Sequence, residues 1–339
     1  MSIAESQAEI GIVFSPLAEN WADAAYAVGR LAESLEDPPA TADPAEIPPA
    51  TAALLADLCR REALASARLQ GFAATPESLL RQIDDPLAGG EDRNALVAFD
   101  AYRAVRSAVY GGADRHLTVD GLLDLERRLT LLARGGDDSR VDPAAGNGAV
   151  AARFLALWGD LADRPGLLRA GIALHALHAL PPIGLSNARL GRLLLPLLTA
   201  DAGLTARPAL MISAELARRP AVYRAMAAGP LESWLAFYLA AVAAAARAAC
   251  KRRAGLALLR RHYLESCPPG RSTSRIGAAI DLLFDAPAVS VYRLQRALDL
   301  SYRGAQTVID RLTAAGIVAE ITGRRRDRLF LAHRIASPL

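Results

Sequence analysis

The reading of this chain turns on residues 174–196, LHALHALPPIGLSNARLGRLLLP. Apolar residues at helical spacing carry His175 and His178 into Pro181-Pro182, which ends the segment because proline lacks a backbone N–H and disfavours helix before it. A short loop, Pro181 to Ser186, then opens a second apolar helix with Asn187-Ala188-Arg189-Leu190-Gly191-Arg192. The first N–H groups of a helix have no internal partner and carry about half a positive charge. Arg189 and Arg192, three apart, share a face of that turn. Ser186, Asn187, Ala188, Arg189 and Arg192 are therefore candidate ligands for a nucleotide phosphate or another anion. The plainer reading is a helical hairpin whose arginines reach solvent.

His175 and His178, one turn apart, have the spacing of two metal ligands. No nearby carboxylate or cysteine completes a set, so packing or hydrogen bonding is the expectation, with no metal. Cys59, Cys250 and Cys267 are far apart and form no CxxC, which argues against disulfides and structural zinc and fits a reducing cytoplasm.

The central stretch resembles the signature of the Fic family, H-P-F-x-[DE]-G-N-G-R-x-x-R, often with Gly before the last Arg. Pro182, Asn187, Arg189, Gly191 and Arg192 match it, whereas Pro181 replaces the His, Leu185 the acid, and Ser186 and Ala188 the glycines. In the family the His takes a proton from a target hydroxyl, the acid holds Mg²⁺ and the turn cradles nucleotide phosphates. Proline accepts no proton and leucine offers a hard cation no oxygen. The resemblance thus implies a scaffold without catalytic residues, metal or cofactor, one that still offers a site for a nucleotide or anion. A second stretch supports it. Fic proteins of one class carry an inhibitory helix ending in [ST]-x-x-x-E-G, and Glu62-Ala63-Leu64-Ala65-Ser66-Ala67-Arg68-Leu69-Gln70-Gly71 repeats that frame with Gln70 in place of the glutamate. The family's glutamate pairs with the signature's last arginine, here Arg192. Gln70, the regulatory candidate, brings a hydrogen bond without charge, hence a weaker clamp.

The rest of the chain reads as mainly helical, since Ala, Leu and Arg dominate and aromatic residues make up 5%. Helices are expected over Trp21–Ser34, Thr51–Leu69, Asn94–Tyr110, Thr118–Leu132, Val150–Leu161, Leu167–Leu180, Leu190–Leu198, Glu215–Met226 and Leu231–Leu264. Thr75-Pro76-Glu77 marks another helix start. Asp37–Pro49 is a Pro- and acid-rich linker, and Arg134–Gly148 a shortened flap or plain loop. Leu231–Ala249 is the most apolar window, but Glu232 and Arg247 favour a buried helix over a membrane span. Met1–Gly11 lacks the basic start of a signal peptide.

Charge is unevenly placed. Residues 1–58 hold ten acids and one base, residues 303–335 seven bases and three acids, so the net +3 conceals a basic C-terminal end. There, helices over Arg275–Phe284, from Ser290, and over Tyr302–Ala315 precede two strands, Ile317–Ile321 and Leu329–Leu331, joined by Thr322-Gly323-Arg324-Arg325-Arg326-Asp327-Arg328. That order predicts a winged helix-turn-helix. Arg303, Gln306 and Arg311 on the third helix and Arg324, Arg325, Arg326 and Arg328 in the wing are the candidate DNA contacts. Lys251-Arg252-Arg253 and Arg260-Arg261 read as a solvated face of the long helix.

The expected architecture is an acidic N-terminal helix and linker (1–50), a Fic-like helical bundle (51–266) and a small winged helix-turn-helix domain (275–335). The leading functional expectation is a DNA-binding regulator on an inactive Fic-like scaffold, cytoplasmic, without membrane attachment, and suited to a homodimer. The alternatives are a Fic-type nucleotidyl transferase with a non-standard base, and an antitoxin-like interaction module.

Overall fold

The computed structural model describes residues 15–36, 47–85, 92–129, 147–181, 183, 187–267, 274–323 and 327–337. Helices α1 (Ser15–Leu35), α2 (Pro49–Leu69), α3 (Pro76–Asp84), α4 (Arg93–Gly111), α5 (Ala113–His116) and α6 (Val119–Arg128) come first. They are followed by α7 (Asn147–Asp160), α8 (Gly166–Ala179), α9 (Asn187–Asp201), α10 (Ser213–Leu216), α11 (Pro220–Ala227) and the 36-residue α12 (Leu231–Ser266). The C-terminal unit comprises α13 (Ser274–Asp285), β1 (Ala288–Ser290), α14 (Val291–Leu298), α15 (Tyr302–Ala314), β2 (Ala319–Glu320), β3 (Leu329–Leu331) and α16 (His333–Ala336).

Local chemistry sets these boundaries. Thr75 and Ser78 form a reciprocal capping box at the start of α3, each side chain accepting from the other's backbone N–H. At the end of α2, Gly71 takes φ +88°, Phe72 N–H donates to Ala67 O and Gly71 N–H to Arg68 O. That Schellman ending closes the helix and leaves Gln70 as its C-cap. The expected single helix over Glu215–Met226 is instead two short ones. Pro220 cannot continue a helix and holds Arg219 at φ −136°, ψ 66°, so α11 starts afresh at the proline.

The core is built on α12, whose Trp234, Leu235, Tyr238, Leu239 and Val242 are buried inside the protein. By length and composition this helix is able to cross a membrane. Its main partner is α1, which presents Leu17, Ala24, Ala27, Val28 and Leu31. Trp21, at the same spacing, is 37% exposed. The last turns of α12 serve a second core, where Leu256, Leu259 and Tyr263 pack with Ile280, Leu283, Leu294, Ile309, Leu312 and Phe330. One helix therefore belongs to both the bundle and the C-terminal unit.

In that unit α14 ends at Asp299 in a left-handed conformation (φ 49°), and Ser301 caps α15 by accepting from Gly304 N–H. β1, not anticipated from sequence, makes the hairpin a three-stranded antiparallel sheet of order β1-β3-β2. Val289 faces Phe330 and Ala319 faces Leu331 in its register. Three residues at Ala288–Ser290 are too few for alternation to mark a strand. Residues 37–46 of the expected linker, residues 134–146 of the expected flap, and Leu132 lie outside the described residues.

Candidate functional site

The site is formed where α8 ends, α9 begins, and α2 and α4 cross them. Asn187, at the first position of α9, is 8% exposed and points back at the loop rather than outward. Its amide donates to Leu177 O (2.9 Å), Leu180 O (3.0 Å) and Pro181 O (3.0 Å), and its oxygen accepts from Ile183 N–H (2.9 Å). One side chain thus serves orphan carbonyls at the end of α8 and pins the turn. Gly191 lets the two helices meet, since a Cβ there would lie 3.3 Å from Leu177 Cδ2.

Arg189 and Arg192 are 6% and 5% exposed. The expectation that they reach solvent is corrected: α2 and α4 cover them. Arg192 Nη2 donates to Ser66 Oγ (3.0 Å), Nη1 donates to Ala188 O (2.9 Å), and Tyr223 Oη stands 3.5 Å from Nη1. Arg189 Nη2 donates to Val97 O (3.3 Å). Gln70 joins the pair. With its amide oxygen toward the guanidiniums, the orientation that satisfies both partners, it accepts from Arg189 Nε at 3.1 Å and Arg192 Nη2 at 3.3 Å.

Charge compensation comes from residues that motif reading missed. Burial pulls Arg189 down to about 10; the charges of Asp100 and Glu126 act against that, and Arg192 adds to it. Asp100 is wholly buried and Glu126 nearly so. Glu62, from the frame quoted above, is buried beside Arg192. Burial raises its carboxyl, opposed by hydrogen bonds from Ser213 and by the Arg192 charge. The available signal for Asp100 was a lone acid among Val97, Ala98, Ala101 and Ala104 on an apolar helix.

Next to the pair lies an aromatic wall. His178, half-buried, meets Tyr223 and Trp234 edge-on at 6.1 and 5.6 Å. Burial, then the charges of Arg192 and His175, pull it down to about 4, so it is neutral at physiological pH. His175 Nε2 hydrogen-bonds Gly229 O (3.0 Å). Among the described residues no cluster of His, Cys, Asp and Glu has metal-site geometry.

Among solved structures the chain is similar to the crystal structure, at 2.70 Å, of a Fic family protein from Desulfovibrio desulfuricans G20. The TM-score is 0.51 at 17% identity, over 93% of this chain and 95% of that one. The fold is Fic-like. No family model and no curated protein matches the sequence. In this Fic-like frame Pro181 is exposed and its carbonyl accepts from Asn187, Ala188 is half-buried in the first turn of α9, and Ser186, Pro182 and Leu185 lie outside the described residues.

The C-terminal candidates form a separate group. Arg303 is exposed and Arg311 half-buried on α15, while the Gln306 amide donates to Asp310 Oδ1 at 2.7 Å. Arg328 lies 5.3 Å from the Phe330 ring centroid. Arg324, Arg325 and Arg326 are outside the described residues. The supposed solvated face of α12 is corrected at one position. Lys251 is exposed, but Arg252 is 6% exposed and donates to Asp57 through Nε (2.8 Å) and Nη2 (2.9 Å). Adjacent residues of a helix point about 100° apart, so Lys251 faces solvent while its neighbour Arg252 enters the core.

Proposed function

We propose that this protein is a DNA-binding regulator built on a Fic-like scaffold that has lost the family's histidine and acid. The supporting observation is the free outer face of α15. The helix packs inward through Ala305, Val308, Ile309 and Leu312 and leaves Tyr302, Arg303 and Thr307 exposed. The sequence of the adjoining β2–β3 connection concentrates four arginines. A helix of this kind reads a groove, while the cationic hairpin holds phosphates. The three cysteines are free thiols, consistent with a reducing cytoplasm.

Mobility shift of genomic fragments over a salt series tests the reading. Affinity should fall steeply with salt, and Arg324→Ala, Arg325→Ala, Arg326→Ala and Arg328→Ala combined should flatten the slope by about three to four phosphates. Binding with an unchanged slope in that variant removes the wing from the interface.

The arginine pair supports a sensory rather than catalytic role. A nucleotide or anion at Arg189 and Arg192 must displace Gln70 and Ser66 from guanidiniums already served by protein oxygens. A second reading draws on His178, whose unprotonated imidazole stands in the field of Arg192 and offers a lone pair to a substrate proton, although a pKa of about 4 makes it a weak base at neutral pH. Label transfer from nucleotide to protein, abolished by His178→Ala and by Arg189→Ala, would favour the transferase.

A further inference from the structure

Helix α2 touches both the arginine pair and the docking surface of the C-terminal unit, and its links to both run through buried charged or polar side chains; α4 also reaches both, through Asp100 near Arg189 and Arg106 on Asp285. At its C-terminal end Ser66 and Gln70 hold Arg192, and Gln70 also holds Arg189. Glu62, one turn earlier, ties α2 to the start of α10 through Ser213. At its middle, Arg60 donates to the last carbonyls of α13, at Asp285 and Phe284. Asp57, 3% exposed, gathers Arg61 (2.6 Å) and Arg252 (2.8 Å), and Arg252 Nη2 continues to Ile335 O at 2.6 Å. The two groups lie on different faces of one helix, about 20 Å apart along its axis from Asp57 to Gln70.

We propose that α2 is a strut coupling the arginine pair to the C-terminal unit, so that whatever changes the hold of Ser66 and Gln70 on Arg189 and Arg192 changes how firmly Asp57 and Arg60 dock α13 and α16. The physical grounds are rigidity and specificity. A helix packed on several sides moves as a body, and its lateral contacts here are directional hydrogen bonds that a small shift or rotation breaks. The C-cap position makes Gln70 a suitable trigger: it is half-buried and sits beyond the last helical residue. An anion that competes with Gln70 for the two guanidiniums would release the strut's end. An acid in its place would hold it harder through two charge-assisted bonds. The regulatory meaning rests on the DNA-binding reading above; the mechanical coupling does not.

Amide hydrogen exchange on the full chain tests the strut with two variants of opposite sign. Gln70→Ala should speed exchange in α13 and α16 about threefold, and Gln70→Glu should slow it by a similar factor, with α1 unchanged in both. Changes confined to residues 62–72 and 187–198 overturn the coupling. A uniform rise that includes α1 reports general destabilisation and counts equally against it. Should Gln70→Ala fail to fold, Gln70→Glu and Ser66→Ala decide by the same comparison. Mobility shift separates the two levels. If the wild-type protein retains no DNA fragment at low salt, the functional reading fails while the exchange result stands. If it does bind, the two variants should move its affinity in opposite directions.

Discussion

Asn187 sits where an anion ligand and an architectural hub predict different mutants. A ligand replaced by alanine would weaken binding and leave folding intact. The structure instead gives Asn187 four hydrogen bonds, three of them to carbonyls at the end of α8 and its loop. Asn187→Ala strands buried backbone groups, and each stranded group costs about 1–3 kcal/mol. We expect a loss of about 3 kcal/mol in urea denaturation, larger than for any exposed arginine. His178 carries a different signature. Burial, then Arg192 and His175, hold it at about 4, against an unfolded value of about 6.5. A depressed pKa means that the native state binds fewer protons than the unfolded chain between these values. The stability this contributes is complete above about pH 6.5 and is lost as pH falls toward 4, up to about 3 kcal/mol. His178→Gln should flatten that limb of stability against pH, and an identical acid slope in the variant would show that another group sets it.

Elements show how close packing around the site was achieved, and glycines give the measure. A Cβ at Gly171 in α8 would lie 2.8 Å from two ring carbons of Tyr238 and 2.9 Å from Leu235 Cδ2, with α12 behind both. At Gly191 in α9 it would meet only the ends of Leu177 and Leu174, at 3.3 and 3.4 Å. Leucine tips yield by small rotations, whereas a buried tyrosine ring does not. Gly171→Ala should therefore cost about 2–3 kcal/mol and Gly191→Ala under about 1 kcal/mol, with thermal melting ranking them. Equal costs would mean that α8 and α12 slide apart freely. The same elements show what was legible beforehand. Helix periodicity and the Thr75 start are local chemistry, and they appear where the residues place them. The Gln70–Arg192 hydrogen bond was expected only through the resemblance to the Fic family, which pairs these two positions. Asp100, Glu126 and Glu62 near the arginines, and Asp57 against Arg252, arise from contacts between helices far apart in sequence. Helical spacing says which face a residue occupies but not what that face meets.

At the scale of the molecule, the question is whether the C-terminal unit is a separable domain or part of the bundle. Its sheet lies on α3, where Ser290 N–H donates to Asp84 Oδ1 (3.2 Å) and Arg293 Nη1 to Ile83 O (2.9 Å). Its first helix meets α2 and α4, the latter through Arg106–Asp285 at 2.7 Å. Between these lies Asp57, with side chains 4% exposed for the aspartate and 6% for Arg252. Burial alone would raise the Asp57 carboxyl, but Arg252's hydrogen bonds and the charges of Arg60, Arg61 and Arg252 outweigh it and hold it below the usual range. A carboxylate depressed in this way adds stability above about pH 3.9, and that contribution disappears as the medium becomes more acidic. Docking should thus weaken in acid before the α1–α12 core does. Arg252→Met removes the link from Asp57 to Ile335 O while retaining much of the side chain's apolar volume. Because Arg60 and Arg61 remain near Asp57, the cost should fall to about 2–3 kcal/mol, at or below the low end for a broken buried pair. Calorimetry at neutral pH should show one transition for the wild type and two for Arg252→Met, the earlier one tracking tyrosine signals from Tyr263, Tyr292 and Tyr302. A single transition at the wild-type temperature in the variant would mean that the apolar contacts of Leu256, Leu259 and Tyr263 hold the unit in place and that Asp57 is a passenger.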